Sequence, residues 1–169
     1  MYYSQYLSPI GTLLLVGDGE NIHKIVFPDD RRPTEPDESW QSNGSAFTEL
    51  KRQLDAYFAG TLKEFDVSLA PAGTEFQRSV WDALANVGYG TTCSYREIAN
   101  AIGNPSACRA VGAANGANPI PIVIPCHRII GTNGTLTGFA GGLLTKHWLL
   151  SHESGELSLF PFEEWSAPK

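Results

Sequence analysis

The sequence predicts an α+β fold: a small N-terminal domain of β-sheet and helix, followed by a mostly helical domain. Three observations predict it. The first third carries short runs of aromatic and branched residues separated by turn signals, as half-buried strands do. The stretch after residue 73 carries capping boxes and apolar stripes at helical spacing. Between them, Ala70-Pro-Ala-Gly73 reads as a break. The expected organisation is an α/β domain at 1–70, a linker at 71–73, a second domain at 74–153 and a tail at 154–169. A chain of 169 residues buries enough surface to need no staple.

Strands are expected at Tyr2–Leu7, Thr12–Val16 and Ile22–Phe27, with Pro9-Ile-Gly11 and Asp18-Gly19 as turns. Residues 28–44 are polar and Pro-rich, hence a loop. A helix follows at about 46–59. Ser45 is the expected cap, Phe47, Leu50, Leu54, Tyr57 and Phe58 form the apolar stripe, and Gly60 is the stop. Phe65–Leu69 reads as one more strand. Thr74 with Gln77, and Ser94 with Glu97, form capping boxes that open two helices. Gly103-Asn104-Pro105 is a tight turn, and Ser106 is the expected cap of a third helix, Ala107–Asn115. Two short helices joined by a Gly-containing turn fit a helix-turn-helix, and an ordinary helical hairpin fits equally. The third helix has a thin face of Ala107, Ala110, Gly112, Ala113 and Ala114, suited to close approach to a helix or a groove. A Pro-stiffened loop, 118–128, precedes the turn Gly131–Gly134, a Gly-rich stretch and a last helix at about 143–152. That helix is expected to turn Leu143, Leu144, Trp148 and Leu149 inward.

Composition narrows the class. Four Trp, six Tyr and eight Phe rule out a disordered chain. No apolar run is long enough to span a membrane, and the N-terminus lacks the basic and apolar regions of a signal peptide. Three Cys with no CxxC pair point away from a disulfide framework and towards a reducing, cytoplasmic setting. The Cys and His residues show no paired ligand spacing, so no metal is expected, and nothing calls for a cofactor. The net charge of −6 is uneven: residues 1–73 hold 6 basic and 11 acidic groups, whereas 74–153 hold 5 basic and 4 acidic. The second domain is the part able to approach a phosphate backbone.

Cys126-His127 is the chemical focus. A thiol needs a base to become a nucleophile, an imidazole can serve, and the imidazole must itself be oriented, commonly by a carboxylate. Adjacent side chains diverge in extended backbone, so a turn or a bridging water is expected between them. Spacing alone does not choose among Glu153, Glu97 and Asp82 as the carboxylate. Buried core cysteines also occur beside histidines, so the pair is not specific by itself. Cys93 and Cys108 read as small apolar fillers.

Ile122-Val-Ile-Pro-Cys-His-Arg-Ile130 resembles the active-site signature of the methylated-DNA–protein-cysteine methyltransferases, the O6-alkylguanine-DNA alkyltransferases. Further motifs follow in that family's order: Phe76-Gln-x-x-Val-Trp81, Gly90 with Tyr95, Ala107-x-Arg-Ala-Val-Gly112, Gly116-x-Asn-Pro119 and Gly141-Gly-Leu-x-x-Lys-x-Trp-Leu-Leu150. Residues 74–153 carry the resemblance strongly. The first domain carries it loosely, at Ser8-Pro-Ile-Gly11 and Ala56-Tyr-Phe-x-Gly60.

The resemblance implies a winged helix-turn-helix-type domain that enters the minor groove of double-stranded DNA and flips O6-alkylguanine out of the stack. O4-alkylthymine is a further expected substrate. The alkyl group passes irreversibly to Cys126 in a single turnover. By resemblance, His127 is the water-mediated base, Glu153 holds His127, Asn118 shapes the loop and completes that network, and Tyr95 protonates the departing guanine. Arg109 fills the gap left by the flipped nucleotide. Ala110, Gly112, Asn115, Arg128, Phe139, Ala140 and Gly141 are the remaining DNA- or substrate-binding positions. Phe139-Ala140 stands where Tyr-Ser is common, which removes a hydroxyl and leaves a backbone N–H to meet O6. The first domain has no Cys, so the zinc site of some members is not expected. The protein is expected as a monomer, with cooperativity on DNA left open. A non-catalytic sensor of alkylated DNA is the alternative reading, and Cys126 stands against it.

Overall fold

The computed structural model describes residues 1–30 and 35–155. The tail expected at 154–169 falls almost wholly outside them. Three antiparallel strands, β1 (Tyr2–Ser8), β2 (Gly11–Gly17) and β3 (Ile22–Val26), run in the order β3-β2-β1, and β4 (Gln41–Ser42) pairs parallel to β1 at the far edge. The first three strands lie where their runs of aromatic and branched residues put them, and β1 alternates, with Ser4, Tyr6 and Ser8 facing inward. Two-residue β4 lies inside the stretch expected to be loop. It carries no apolar pattern, and its backbone bonds to β1 alone define it.

Helix α1 (Thr48–Phe58) packs on this sheet, and the Tyr6 hydroxyl donates to Asp55 Oδ1 at 2.7 Å to fasten it. It is entered through a 3-10 turn, Gly44–Phe47, capped by Asn43 and not by Ser45: the Asn43 side chain accepts from the Ser45 amide. Phe65–Leu69 does not form a strand. It makes one bridge, with Ile22 donating to the Ser68 carbonyl and Ala70 to that of Ile22, while the Gln53 side chain of α1 takes both the amide and the carbonyl of Asp66.

The helical half contains α2 (Glu75–Ala85), α3 (Tyr95–Ala101), α4 (Cys108–Gly116) and α5 (Gly142–Ser154). Both expected capping boxes form, at Thr74/Gln77 and Ser94/Glu97. Ser106 does not cap α4. Its hydroxyl bonds Asn104 Oδ1, and Ala107 occupies the cap with no side-chain bond. The Trp81 indole donates to the Ala114 carbonyl at 2.9 Å and docks α2 under α4. A parallel pair, β5 (Cys93–Ser94) with β6 (Ile129–Ile130), joins the entry of α3 to the strand leaving the cysteine turn. Leu143 and Leu144 are exposed, 48% and 42%, contrary to expectation. The α5 stripe that faces inward is instead Thr145, Lys146, Trp148, Leu149 and Glu153.

One apolar cluster runs through both halves, from Leu13, Leu15, Leu50 and Leu54 to Trp81, Ile120, Ile129 and Leu149. The Ile25 amide donates to the Pro119 carbonyl at 2.9 Å, so the edge of the N-terminal sheet holds the start of the loop that carries the cysteine. That loop turns at Ile122 with φ 75. A β-branched residue there stores roughly 1–3 kcal/mol, which the surrounding packing must hold.

Candidate active site

Cys126, His127 and Arg128 form a single 3-10 turn, all three buried. The turn answers the geometric problem of adjacent side chains, because it projects them in different directions around one backbone kink. The thiol is enclosed by the loop. Asn118 builds that loop by donating from Nδ2 to the Ile124 carbonyl at 2.8 Å and accepting from the Ile120 amide at 3.0 Å. Asn115 lies beneath, its amide directed at the Cys126 carbonyl at 3.4 Å.

His127 is fully buried, and its Nε2 lies 2.7 Å from Glu153 Oε1. Glu153 has four further donors. Oε1 also accepts from the Tyr57 hydroxyl at 2.8 Å and from Arg128 Nη2 at 2.9 Å. Oε2 accepts from Arg128 Nε at 2.8 Å and from the Gly90 amide at 3.3 Å. Gly90 has φ +72, and a Cβ there would sit 3.0 Å from the Glu153 carbonyl oxygen, so both the turn and the close approach require glycine.

Burial alone would push Glu153 up. Hydrogen bonds and charge from His127 and Arg128 outweigh it and hold the carboxyl well below its usual range. An ionised carboxylate only accepts, so Nε2 of His127 must carry the hydrogen and the neutral ring keeps its lone pair on Nδ1. Nδ1 is buried without a partner among the described protein groups. Burial lowers the His127 pKa, with Glu153 opposing, so the ring rests neutral and able to take a proton. Burial also pushes the Cys126 thiol up to about 11, opposed by hydrogen bonding from Asn118 and by the Lys146 cation. The resting thiol therefore keeps its proton, and transfer to the imidazole must accompany bond formation.

Lys146 is fully buried, and burial lowers its pKa to about 8. It donates to the carbonyls of Ile129 and Thr137. Thr137 in turn shares a 2.6 Å hydrogen bond with the Tyr95 hydroxyl, so Tyr95 and the cysteine turn are linked through one lysine.

The other expected positions divide in two. Arg109 and Ala110 are exposed on α4 with Ala113, and Gly112 is half-buried against the Tyr95 ring. Asn118 and Ala140 share a cleft of about 330 Å³ with Lys24 and Asp30. Arg128 and Asn115, expected on the DNA- or substrate-binding face, are instead buried. The Arg128 guanidinium is committed to Glu153 and the Val87 carbonyl, and Asn115 to the Cys126 carbonyl. Phe139 is 5% exposed and packs on Phe27 with ring centroids 5.4 Å apart. Gly141 lies against both rings, where a Cβ would come within 2.8 Å of Phe27 and 3.1 Å of Phe139.

Tyr57, Lys146 and the pairing of Arg128 with Glu153 were not foreseen as parts of the site. For Lys146 a signal exists: 146, 149 and 153 share one helical stripe, which puts a lysine on the inward face with the carboxylate. Tyr57 gave only its apolar spacing.

Two family models match. The ribonuclease-like domain of 6-O-methylguanine DNA methyltransferase covers residues 1–71, and its DNA-binding domain covers 75–155. The methylated-DNA–protein-cysteine methyltransferase of Methanosarcina acetivorans is 56% identical over 153 residues, 90% of this chain and 98% of that protein. That of Mycobacterium tuberculosis is 47% identical over 165 residues, 95% and 99% of the two chains. The crystal structure of Mycobacterium tuberculosis OGT in complex with DNA superposes with a TM-score of 0.87 at 46% identity, covering 94% of this chain and 96% of that one.

Proposed function

The chain belongs to the 6-O-methylguanine DNA methyltransferase family, and on that premise we propose that it repairs alkylated DNA by direct reversal, with Cys126 as the acceptor. The observation that carries this reading is the buried turn that sets Cys126 beside a neutral His127, itself held by an ionised Glu153. In this reading α4 enters the minor groove of duplex DNA, where its thin outer face of Ala110 and Ala113 allows close approach. Arg109 takes the place of the flipped nucleotide. A planar guanidinium can fill the stack and hydrogen-bond the orphaned base. The alkylated base, O6-alkylguanine or O4-alkylthymine, comes to rest against Phe139 and Ala140, with the Ala140 backbone N–H directed at O6.

The transfer is a displacement at saturated carbon. The Sγ–C bond forms as the O6–C bond breaks. The thiol proton passes to His127 Nδ1 through water, and Tyr95 gives a proton to the departing guanine. Glu153 stabilises the imidazolium, while Lys146 and Asn118 offset the burial that disfavours a thiolate. The product is a thioether that water does not hydrolyse, so each chain acts once. Retention of both the thiol and its base favours this reading over a non-catalytic sensor. No helix among the described residues is long and apolar enough to cross a membrane. Three free cysteines support a reducing compartment, the cytoplasm. We take the protein to act as a monomer without a cofactor. The test is incubation with duplex DNA carrying labelled O6-methylguanine. The reading expects label on the protein, and tight binding without transfer supports the sensor.

A further inference from the structure

We propose that Tyr57, supplied by the N-terminal domain, is a positioning residue of the transfer reaction: its hydroxyl fixes the Glu153 oxygen that serves His127. The inference rests on the reading of Cys126, His127 and Glu153 as a relay. Tyr57 lies near the C-terminal end of α1, is fully buried, and donates at 2.8 Å to Glu153 Oε1 from 96 residues away in sequence. Its ring cannot swing. It is enclosed by Phe58, Phe65, Tyr89 and His152, with centroids 5.2 to 6.1 Å away. His152 Nε2 lies 2.7 Å from the Tyr57 carbonyl oxygen and ties the end of α1 to α5 one residue before Glu153.

A position that needed only bulk would accept phenylalanine, as the neighbouring positions 58 and 65 do. A buried hydroxyl is costly unless it is paired. Here its partner is the carboxylate that orients the base. Burial and the Glu153 charge raise the Tyr57 pKa well above normal, so the phenol is a donor throughout the working pH range.

Oε1 is shared by Tyr57, His127 and Arg128. A donor on that oxygen draws charge from the His127 bond and pins the carboxylate. Without it, Oε1 binds the imidazolium more strongly, so His127 keeps its proton to higher pH and is a poorer acceptor below that point. The charged or titratable groups facing this pair are Cys126, Arg128 and Lys146 around His127, and Arg128 with Tyr89 around Glu153; His152 faces Tyr57. Tyr57→Phe leaves every one of them in place, so a shift in the profile reports the hydroxyl.

The experiment is the pH–rate profile of methyl transfer from O6-methylguanine duplex to Cys126, for wild type, Tyr57→Phe and the packing control Phe58→Leu. Tyr57→Phe is expected to move the acid limb up by about half a pH unit, roughly threefold slower at a fixed pH on that limb. Phe58→Leu is expected to lower the melting temperature and leave the limb in place. Should Tyr57→Phe not fold, Tyr57→fluorotyrosine keeps the shape and strengthens the donor, and the limb must then move down. Superimposable profiles, or an equal shift in Phe58→Leu, overturn the proposal while transfer to Cys126 stands. Wild type that places no label on Cys126 overturns the relay reading as well.

Discussion

Replacing Glu153 by Gln removes one charge and leaves the shape almost unchanged, so it isolates what the carboxylate contributes. The side chains concerned are dry: Glu153 is 1% exposed, His127 0% and Arg128 7%. The carboxylate accepts five hydrogen bonds. A Gln keeps one acceptor oxygen and turns an NH2 group towards groups that are themselves donors. Arg128 then stays buried without its counter-charge, and breaking such a pair costs about 3–5 kcal/mol. Against a total stability on the order of 5–15 kcal/mol, that is a large share. For a chain of this size each kcal/mol moves the melting temperature by about 2–4 °C, so a fall of roughly 6–20 °C is expected by calorimetry.

The kinetic effect is separate and is read well below the melting point. A neutral amide stabilises the imidazolium less, and a drop of one pH unit in His127 basicity is about 1.4 kcal/mol, or tenfold in equilibrium. Methyl transfer by Glu153→Gln should therefore be slower at neutral pH, by up to about tenfold for each pH unit of lost basicity. A variant that melts with the wild type and transfers at the same rate would refute both the carboxylate's structural part and its part in the relay.

Three further outcomes are expected. Arg109→Ala should slow repair within duplex DNA far more than reaction with the free base O6-benzylguanine, because only the duplex requires a flipped nucleotide; equal losses reject the finger role. A weakening that is the same for damaged and undamaged duplex, with a reduced salt slope, would mean a phosphate contact instead. The melting temperature should fall as pH drops from 7 to 4. His127 and Glu153 both have depressed values in the folded protein, so each contribution is complete above its ordinary value of 6.5 or 4.5 and is lost as pH falls below it; a flat calorimetric profile would contradict this. Cys93→Ser and Cys108→Ser should each retain one methyl group transferred per chain, measured by label stoichiometry, because both thiols are half-buried and lie outside the cysteine turn.

What was legible in the sequence was what short-range chemistry writes there. Thr74 with Gln77 and Ser94 with Glu97 announce two helices because each box closes its own backbone donors within three residues. Strands β1 to β3 are legible because runs of aromatic and branched residues stand between turn signals, whereas Gln41–Ser42 of β4 carry no such run. The misses involve partners distant in sequence or competing locally. Asn43 takes the cap expected of Ser45 because the chain enters α1 through a 3-10 turn. Leu143 and Leu144 face outward because Lys146 and Glu153 claim the inward stripe of α5. Arg128 stands by resemblance among the DNA- or substrate-binding positions, yet a carboxylate 25 residues on takes it into the interior. Tyr57 is hidden further still: its apolar spacing fits a core residue, and its hydroxyl partner lies 96 residues away in the other half of the chain.

The central claim is that Cys126 accepts the alkyl group, once. Peptide mapping by mass spectrometry, after reaction with excess O6-methylguanine duplex, tests it directly. The account predicts that the peptide bearing Cys126 gains the mass of one CH2 group, that the gain saturates at one per chain, and that Cys126→Ser shows none while still binding the duplex. Modification at Cys93 or Cys108, turnover beyond one methyl per chain, or transfer by the serine variant would contradict it.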